Sequence, residues 1–109
     1  MAYNEQLAKR ARDILKTQKG FSEKKMFGGL CFLLNGNMCC GVEKDNFMVR
    51  VGPQQYEKVL SLKYARPMDF TGRPLKGFVY VDAQGVKTKT ALRKWIQYGI
   101  SFAGSLPGK

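Results

Sequence analysis

The segment Leu30-Cys-Phe-Leu-Leu-Asn-Gly-Asn-Met-Cys-Cys-Gly-Val42 constrains the fold more than any other part of the chain, because two apolar runs flank Asn35-Gly36. A two-residue type I′ hairpin turn needs positive φ at both central positions, and Asn-Gly supplies it. Residues 30–34 and 37–42 therefore read as a hairpin, and a turn at 43–46 leads into a third strand over 47–51. With a two-residue loop, Cys31 lies opposite Cys40 and Leu33 opposite Met38. Side chains alternate along a strand, so one face carries Cys31, Leu33, Met38, Cys40, Val42, Phe47, Val49 and Val51, the expected core face. The other face reads Leu30, Phe32, Leu34, Asn37, Cys39, Met48 and Arg50. It too is largely apolar, whereas a sheet with one wet face alternates more cleanly. Either a helix or loop covers it, or Leu30, Phe32, Leu34 and Met48 form an apolar face for a partner, a second copy of the chain included.

Helical signals flank the strands. Asn4 is a good N-cap, Leu7, Ala11, Ile14 and Leu15 share one helical face, and Gly20 ends the helix. Gly52-Pro53 opens a short helix reaching about Leu62 with Tyr56, Val59 and Leu60 inward. Residues 63–77 read as a loop broken by Pro67, Gly72, Pro74 and Gly77. A fourth strand spans 78–81, and a last helix spans 89–102 with Leu92, Trp95, Ile96, Gly99 and Phe102 inward. The expected class is α+β: an N-terminal helix, an antiparallel sheet of about four to five strands, and a short middle helix and a C-terminal helix packed on the sheet. The 109 residues suit one domain over 1–109. No apolar run approaches the ~20 residues of a membrane span, and the polar start is unlike a secretory signal, so a cytoplasmic protein without membrane contact is expected.

The chain has no histidine, which removes Ser-His-Asp and Cys-His catalysis and every histidine-containing metal site. Its three cysteines sit in strand-like apolar sequence, as reduced thiols do. Adjacent Cys39 and Cys40 point to opposite faces of a regular strand and cannot readily close on one metal. Cys31 and Cys40, expected side by side, are either packed core thiols or a redox-sensitive pair. Met26-Phe-Gly-Gly29 lacks phosphate-loop spacing and leads into a strand, which favours close backbone packing. Asp69 and Asp82 are isolated. No catalytic residue, metal ligand or cofactor-binding residue can be named, and a non-enzymatic protein is expected.

Charge is the remaining signal. The 19 Lys and Arg against 8 Asp and Glu give a net +11, which favours nucleic acid or an acidic protein partner. Lys9, Arg12 and Lys16 recur at helical spacing on the first helix. Lys87, Lys89, Arg93 and Lys94 crowd the start of the last helix, and no acidic residue follows Asp82. Each set is either a solvated face or a phosphate-contacting one. Arg66, Arg73 and Lys76 either brace the 63–77 loop, with Asp69 as the natural partner, or present donors to an anion. Trp95 falls at core spacing, and neither a zinc-finger nor an RRM pattern accompanies the basic residues.

Several segments in order, Lys25-Met-Phe-Gly-Gly29, Asn35-Gly-Asn-Met38, Met48-Val-Arg-Val-Gly52, Arg66-Pro-Met-Asp-Phe-Thr-Gly-Arg-Pro74, Phe78-Val-Tyr-Val81 and Phe102-Ala-Gly-Ser-Leu-Pro107, resemble the N-terminal domain of the TfoX/Sxy family, regulators of natural competence in bacteria. The resemblance spans nearly the whole chain. It implies an α+β fold and a regulatory role with the transcription machinery or DNA, and it transfers no catalytic residue. Competence regulators of this type are larger, with a second, helical domain, so the chain resembles a stand-alone form. A protein–protein adaptor without nucleic-acid binding is the alternative. Small proteins of the MmcQ/YjbR type resemble it more distantly.

Overall fold

A computed structural model of the chain describes residues 3–26, 28–68 and 76–107. In chain order the elements are α1 (Glu5–Leu15), β1 (Phe21–Met26), β2 (Gly29–Leu34), β3 (Asn37–Glu43), β4 (Asn46–Arg50), α2 (Tyr56–Leu60), β5 (Ala65–Pro67), β6 (Phe78–Val81), a 3-10 helix (Ala83–Val86) and α3 (Lys89–Gly104). The strands form one antiparallel sheet in the order β1-β2-β3-β4-β6-β5. This is the expected α+β arrangement with more strands than anticipated. The expected α1, central strands, short middle helix and long last helix all form.

The additional strands are β1 and β5, both at sheet edges. β1 gives little apolar signal because an edge strand has one neighbour and needs few buried side chains. Its Phe21 stacks on Phe32 with ring centroids 6.0 Å apart, while Glu23, Lys24 and Lys25 are exposed. Charges on an edge also discourage pairing with another chain. β5 lies in the stretch read as loop, and its Pro67 is tolerated because an edge strand leaves one side of its backbone unpaired.

The turn forms as the dipeptide requires, with φ of +53° at Asn35 and +82° at Gly36. Leu34 pairs with Asn37 and Leu33 with Met38, as expected. Beyond that point a β-bulge intervenes, and Phe32, rather than Cys31, pairs with Cys40. Cys39 is the extra residue, which shifts β2 by one relative to the outer half of β3 and exchanges its faces. Leu30, Phe32 and Leu34 consequently join Cys40, Val42, Phe47, Val49 and Val51 in the main core. Cys31 and Met38 lie instead with Met48, Met68 and Tyr80 in a smaller cluster, and Leu33 is half-buried. The expectation of an open apolar partner face is thereby corrected. Leu30, Phe32 and Leu34 are buried within the main core, and Met48 is buried in the smaller cluster.

The bulge also corrects the thiols. Cys39 and Cys40 both belong to the main core, and Cys31 is paired with Gly41, so Cys31 and Cys40 are not cross-strand partners. Burial pushes the Cys31 thiol up from the ordinary 9.0 to about 11. Burial, followed by a hydrogen bond with Cys39, raises Cys40 well above the usual thiol range.

The helices cover the main core. α1 contributes Leu7, Ala8, Ala11 and Leu15, with the Asn4 side chain accepting from the Leu7 N–H at 3.0 Å. α2 contributes Tyr56 and Val59. α3 contributes Leu92, Trp95, Ile96, Gly99 and Ala103. At Gly99 the helix rests directly on β3, since a Cβ there would collide with the Cys39 carbonyl oxygen and lie 2.9 Å from its Sγ.

Gly99→Ala should lower stability by about 2–3 kcal/mol in urea titration, because a methyl is forced into backbone. Gly104→Ala, with nothing within 4 Å of the added methyl, should be neutral or slightly stabilising. Iodoacetamide at neutral pH should label Cys31 and Cys40 only after unfolding, since the thiolate is the nucleophile. Mild oxidant should not join Cys31 to Cys40; mass spectrometry finding that bridge would contradict the assigned faces. The folded protein holds the Cys31 proton more tightly than the unfolded chain does. This contribution to stability is whole below pH 9.0 and lost as pH rises towards about 11, measurable by denaturation across that range.

Candidate functional site

The outward side of α3 forms one wall of a groove. Thr88 caps the helix, its hydroxyl oxygen accepting from the Ala91 N–H at 3.1 Å. The buried Trp95 indole donates to the Gly85 carbonyl at 3.0 Å and fixes the helix against the 3-10 turn. With Leu92, Ile96 and Gly99 turned inward, Thr90, Arg93, Lys94, Gln97 and Ser101 share the groove side at helical spacing. The facing wall runs from Val51 to Lys58, and the groove has a volume of about 900 Å³.

The floor is held by backbone. The N–H groups of Val51 and Gly52 both donate to the Gly77 carbonyl, at 2.8 and 3.0 Å. Gly52 has φ +87°, and a Cβ there would enter the Phe102 ring, so both conformation and space favour glycine. The Arg50 guanidinium lies 5.1 Å from the Phe102 centroid and 5.5 Å from that of Phe78. This cation–π arrangement ties the C-terminal turns of α3 to the end of β4.

The basic residues divide by helix. On α1, Arg12 donates to both oxygens of Glu23 at 2.5 and 2.9 Å, and that hydrogen bond raises its pKa above the ordinary guanidinium value. Lys16 lies 3.6 Å from Asp13, and Lys9 is exposed. α1 also has the ordinary charge polarity, with Glu5 in its first turn and Arg12 in its last. At α3 the polarity is reversed. Lys87, Lys89, Arg93 and Lys94 are all exposed, none is ion-paired among the described residues, and the first turn has no acid. A cation near a helix N-terminus opposes the macrodipole and costs about 0.3–1 kcal/mol.

Sequence reading singled out Arg93 and Lys94, and the fold adds Lys58 from α2 to the same groove. It overlooked Lys58, Gln54, Gln55, Gln97 and Ser101 because they carry no motif and come to line one groove only through the tertiary fold. Arg10 was overlooked as well. It donates to the carbonyls of Val86 and Lys87 at 2.7 and 3.1 Å, joining α1 to the approach of α3. Arg66 does brace its surroundings, but through Asp82 at 2.6 Å and Asn46 at 2.7 Å. Asp69 and Arg73 lie outside the described residues, and Lys76 is exposed.

The groove offers positive charge, side-chain amides and hydroxyls, and parts of two aromatic rings, Tyr98 and Phe102. Among the described residues no carboxylate or thiol lines it, and no group of three or more His, Cys, Asp or Glu is placed to hold a metal. No helix among them is long and apolar enough to cross a membrane.

In comparison with protein families, residues 13–103 match the family described as the TfoX N-terminal domain. Searches of curated proteins and of solved structures found no match.

The reversed polarity of α3 is testable apart from any ligand. Lys89→Glu should raise stability by about 1 kcal/mol, roughly 4 °C in Tm for a chain of this size. An unchanged or lowered melting temperature would show that Lys89 is not opposed by the helix field.

Proposed function

The chain belongs to the TfoX N-terminal domain family, and from that premise we propose that it is a non-enzymatic regulatory protein acting with the transcription machinery or its DNA through the basic side of α3. One observation carries this reading. Lys87, Lys89, Arg93 and Lys94 gather at one helix start, exposed and without an ion pair among the described residues, with Lys89 in the first turn, where it opposes the helix dipole. Charges placed for stability would follow the pattern of α1. Placed as they are, they supply a local positive field that attracts a polyanion and speeds its encounter.

A second reading is an adaptor that binds an acidic protein surface without nucleic acid. The groove favours it, since amides and hydroxyls accompany the cations there. The apolar sheet face, now buried, gives a homodimeric form of that adaptor no support.

Fluorescence anisotropy of labelled duplex DNA and of RNA across a salt series separates the readings. Nucleic-acid action predicts binding at low salt, with log affinity falling by roughly 0.9 per log unit of salt for each duplex phosphate neutralised. Arg93→Ala with Lys94→Ala should flatten that slope by about 2 without unfolding the protein, as both side chains are exposed. Absence of binding at low salt would remove nucleic acid and leave the acidic protein partner.

A further inference from the structure

The α3 wall of the groove runs from Thr90 to Ser105, about 22 Å at 1.5 Å per residue. Its chemistry changes along that length. The first half carries Arg93 and Lys94, with Lys58 contributed by α2. The second half carries Gln97, Ser101 and Ser105 beside the Phe102 ring.

Three features discriminate among occupants. The polar groups between the cations and Phe102 are amides and hydroxyls, which donate and accept, as do Gln54 and Gln55 on the facing wall. A peptide backbone presents N–H and C=O groups in alternation and uses both kinds, whereas a phosphate only accepts. Of the two rings in the lining, Tyr98 is half-buried with its centroid 6.1 Å from that of Trp95, and the Phe102 ring is already engaged by the Arg50 guanidinium and by Gly52, so it makes a poor stacking platform for a base. What it offers the groove is a partial apolar surface. Finally, an extended chain rises about 3.3 Å per residue, so this wall accommodates about seven residues.

We infer that the groove docks an extended acidic segment, about seven residues long, of a partner protein. Its carboxylates meet Lys58, Arg93 and Lys94, and an apolar side chain rests on Phe102. The inference rests on the reading of α3 as the working surface and deepens it by naming the chemistry of the partner. Arg and Lys supply charge-assisted hydrogen bonds at one end, and the ring supplies apolar contact at the other. The spacing between the two ends sets the register of the bound segment.

The test selects random dodecapeptides displayed on phage against the intact protein, then measures the enriched sequences as labelled synthetic peptides. Enriched peptides should carry at least two Asp or Glu and, several residues away, a large apolar residue. Arg93→Glu with Lys94→Glu should weaken them by roughly tenfold or more. Ser101→Trp fills the groove while leaving every cation in place. It should weaken the peptides by a similar factor and leave binding of a duplex DNA oligonucleotide unchanged. Gln97→Glu, an exposed substitution, repeats the test with a carboxylate on the groove side and should weaken the peptides several-fold. Enrichment without acidic residues, or acidic peptides indifferent to both Ser101→Trp and Gln97→Glu, overturns the inference. Peptides displaced by DNA yet insensitive to Ser101→Trp also overturn it, while preserving the basic surface as a nucleic-acid site. Groove-dependent peptide binding without any DNA binding supports the inference and removes the nucleic-acid half of the proposed function.

Discussion

The position of α3 depends on a backbone contact, the meeting of Gly99 with the bulged Cys39 of β3. A helix normally stands off a sheet by the length of its side chains. Here the missing side chain lets the helix come down onto the Cys39 carbonyl, while Ile96 and Ala103 on either side are buried. The contact is stiff because neither backbone can rotate away, unlike the end of a flexible side chain. With that face fixed inward, Arg93, Gln97 and Ser101 turn towards residues 51–58, and the groove follows. The same bulge decides the sheet, since it brings β2 into phase with the outer half of β3 so that both present apolar residues to the helices.

Charge follows two patterns in one small structure. The α1 cations are partly absorbed by the fold: Arg12 is held by Glu23, Lys16 lies near Asp13, and Arg10 caps carbonyls at the entrance to α3. Surface pairs of this kind contribute little energy, about 0–1 kcal/mol each, but they satisfy the charge locally. The α3 cations have no such partners among the described residues, and Lys89 stands in the first turn, the wrong end of a helix for a cation. The asymmetry says more than the net +11, because total charge alone serves solubility equally well.

Membership in the TfoX N-terminal domain family and the groove chemistry address different questions. The family groups the chain with domains like those of TfoX/Sxy regulators, and it assigns no residue. The groove assigns residues and chemistry but names no pathway. They meet at α3, whose buried side builds the domain core and whose outer side carries the free charge.

Much of the architecture was legible in order and spacing. The Asn35-Gly36 turn, the N-cap at Asn4, the glycine and proline breaks, and the inward stripe Leu92, Trp95, Ile96 are local signals, because a turn or a helical face is specified by neighbouring residues. The concentration of cations at the start of α3 is equally a property of the chain. The sequence did not disclose β1, since charged residues suffice at a sheet edge, nor the bulge at Cys39, since nothing in Cys39-Cys40 marks an extra residue. Only the tertiary structure decided which face of β2 is covered, separated Cys31 from Cys40, and brought Lys58 and Gln55 beside Arg93 and Gln97. Those outcomes depend on contacts between segments far apart in the chain. A backbone meeting such as Gly99 on Cys39 leaves no periodicity in either segment by which to foresee it.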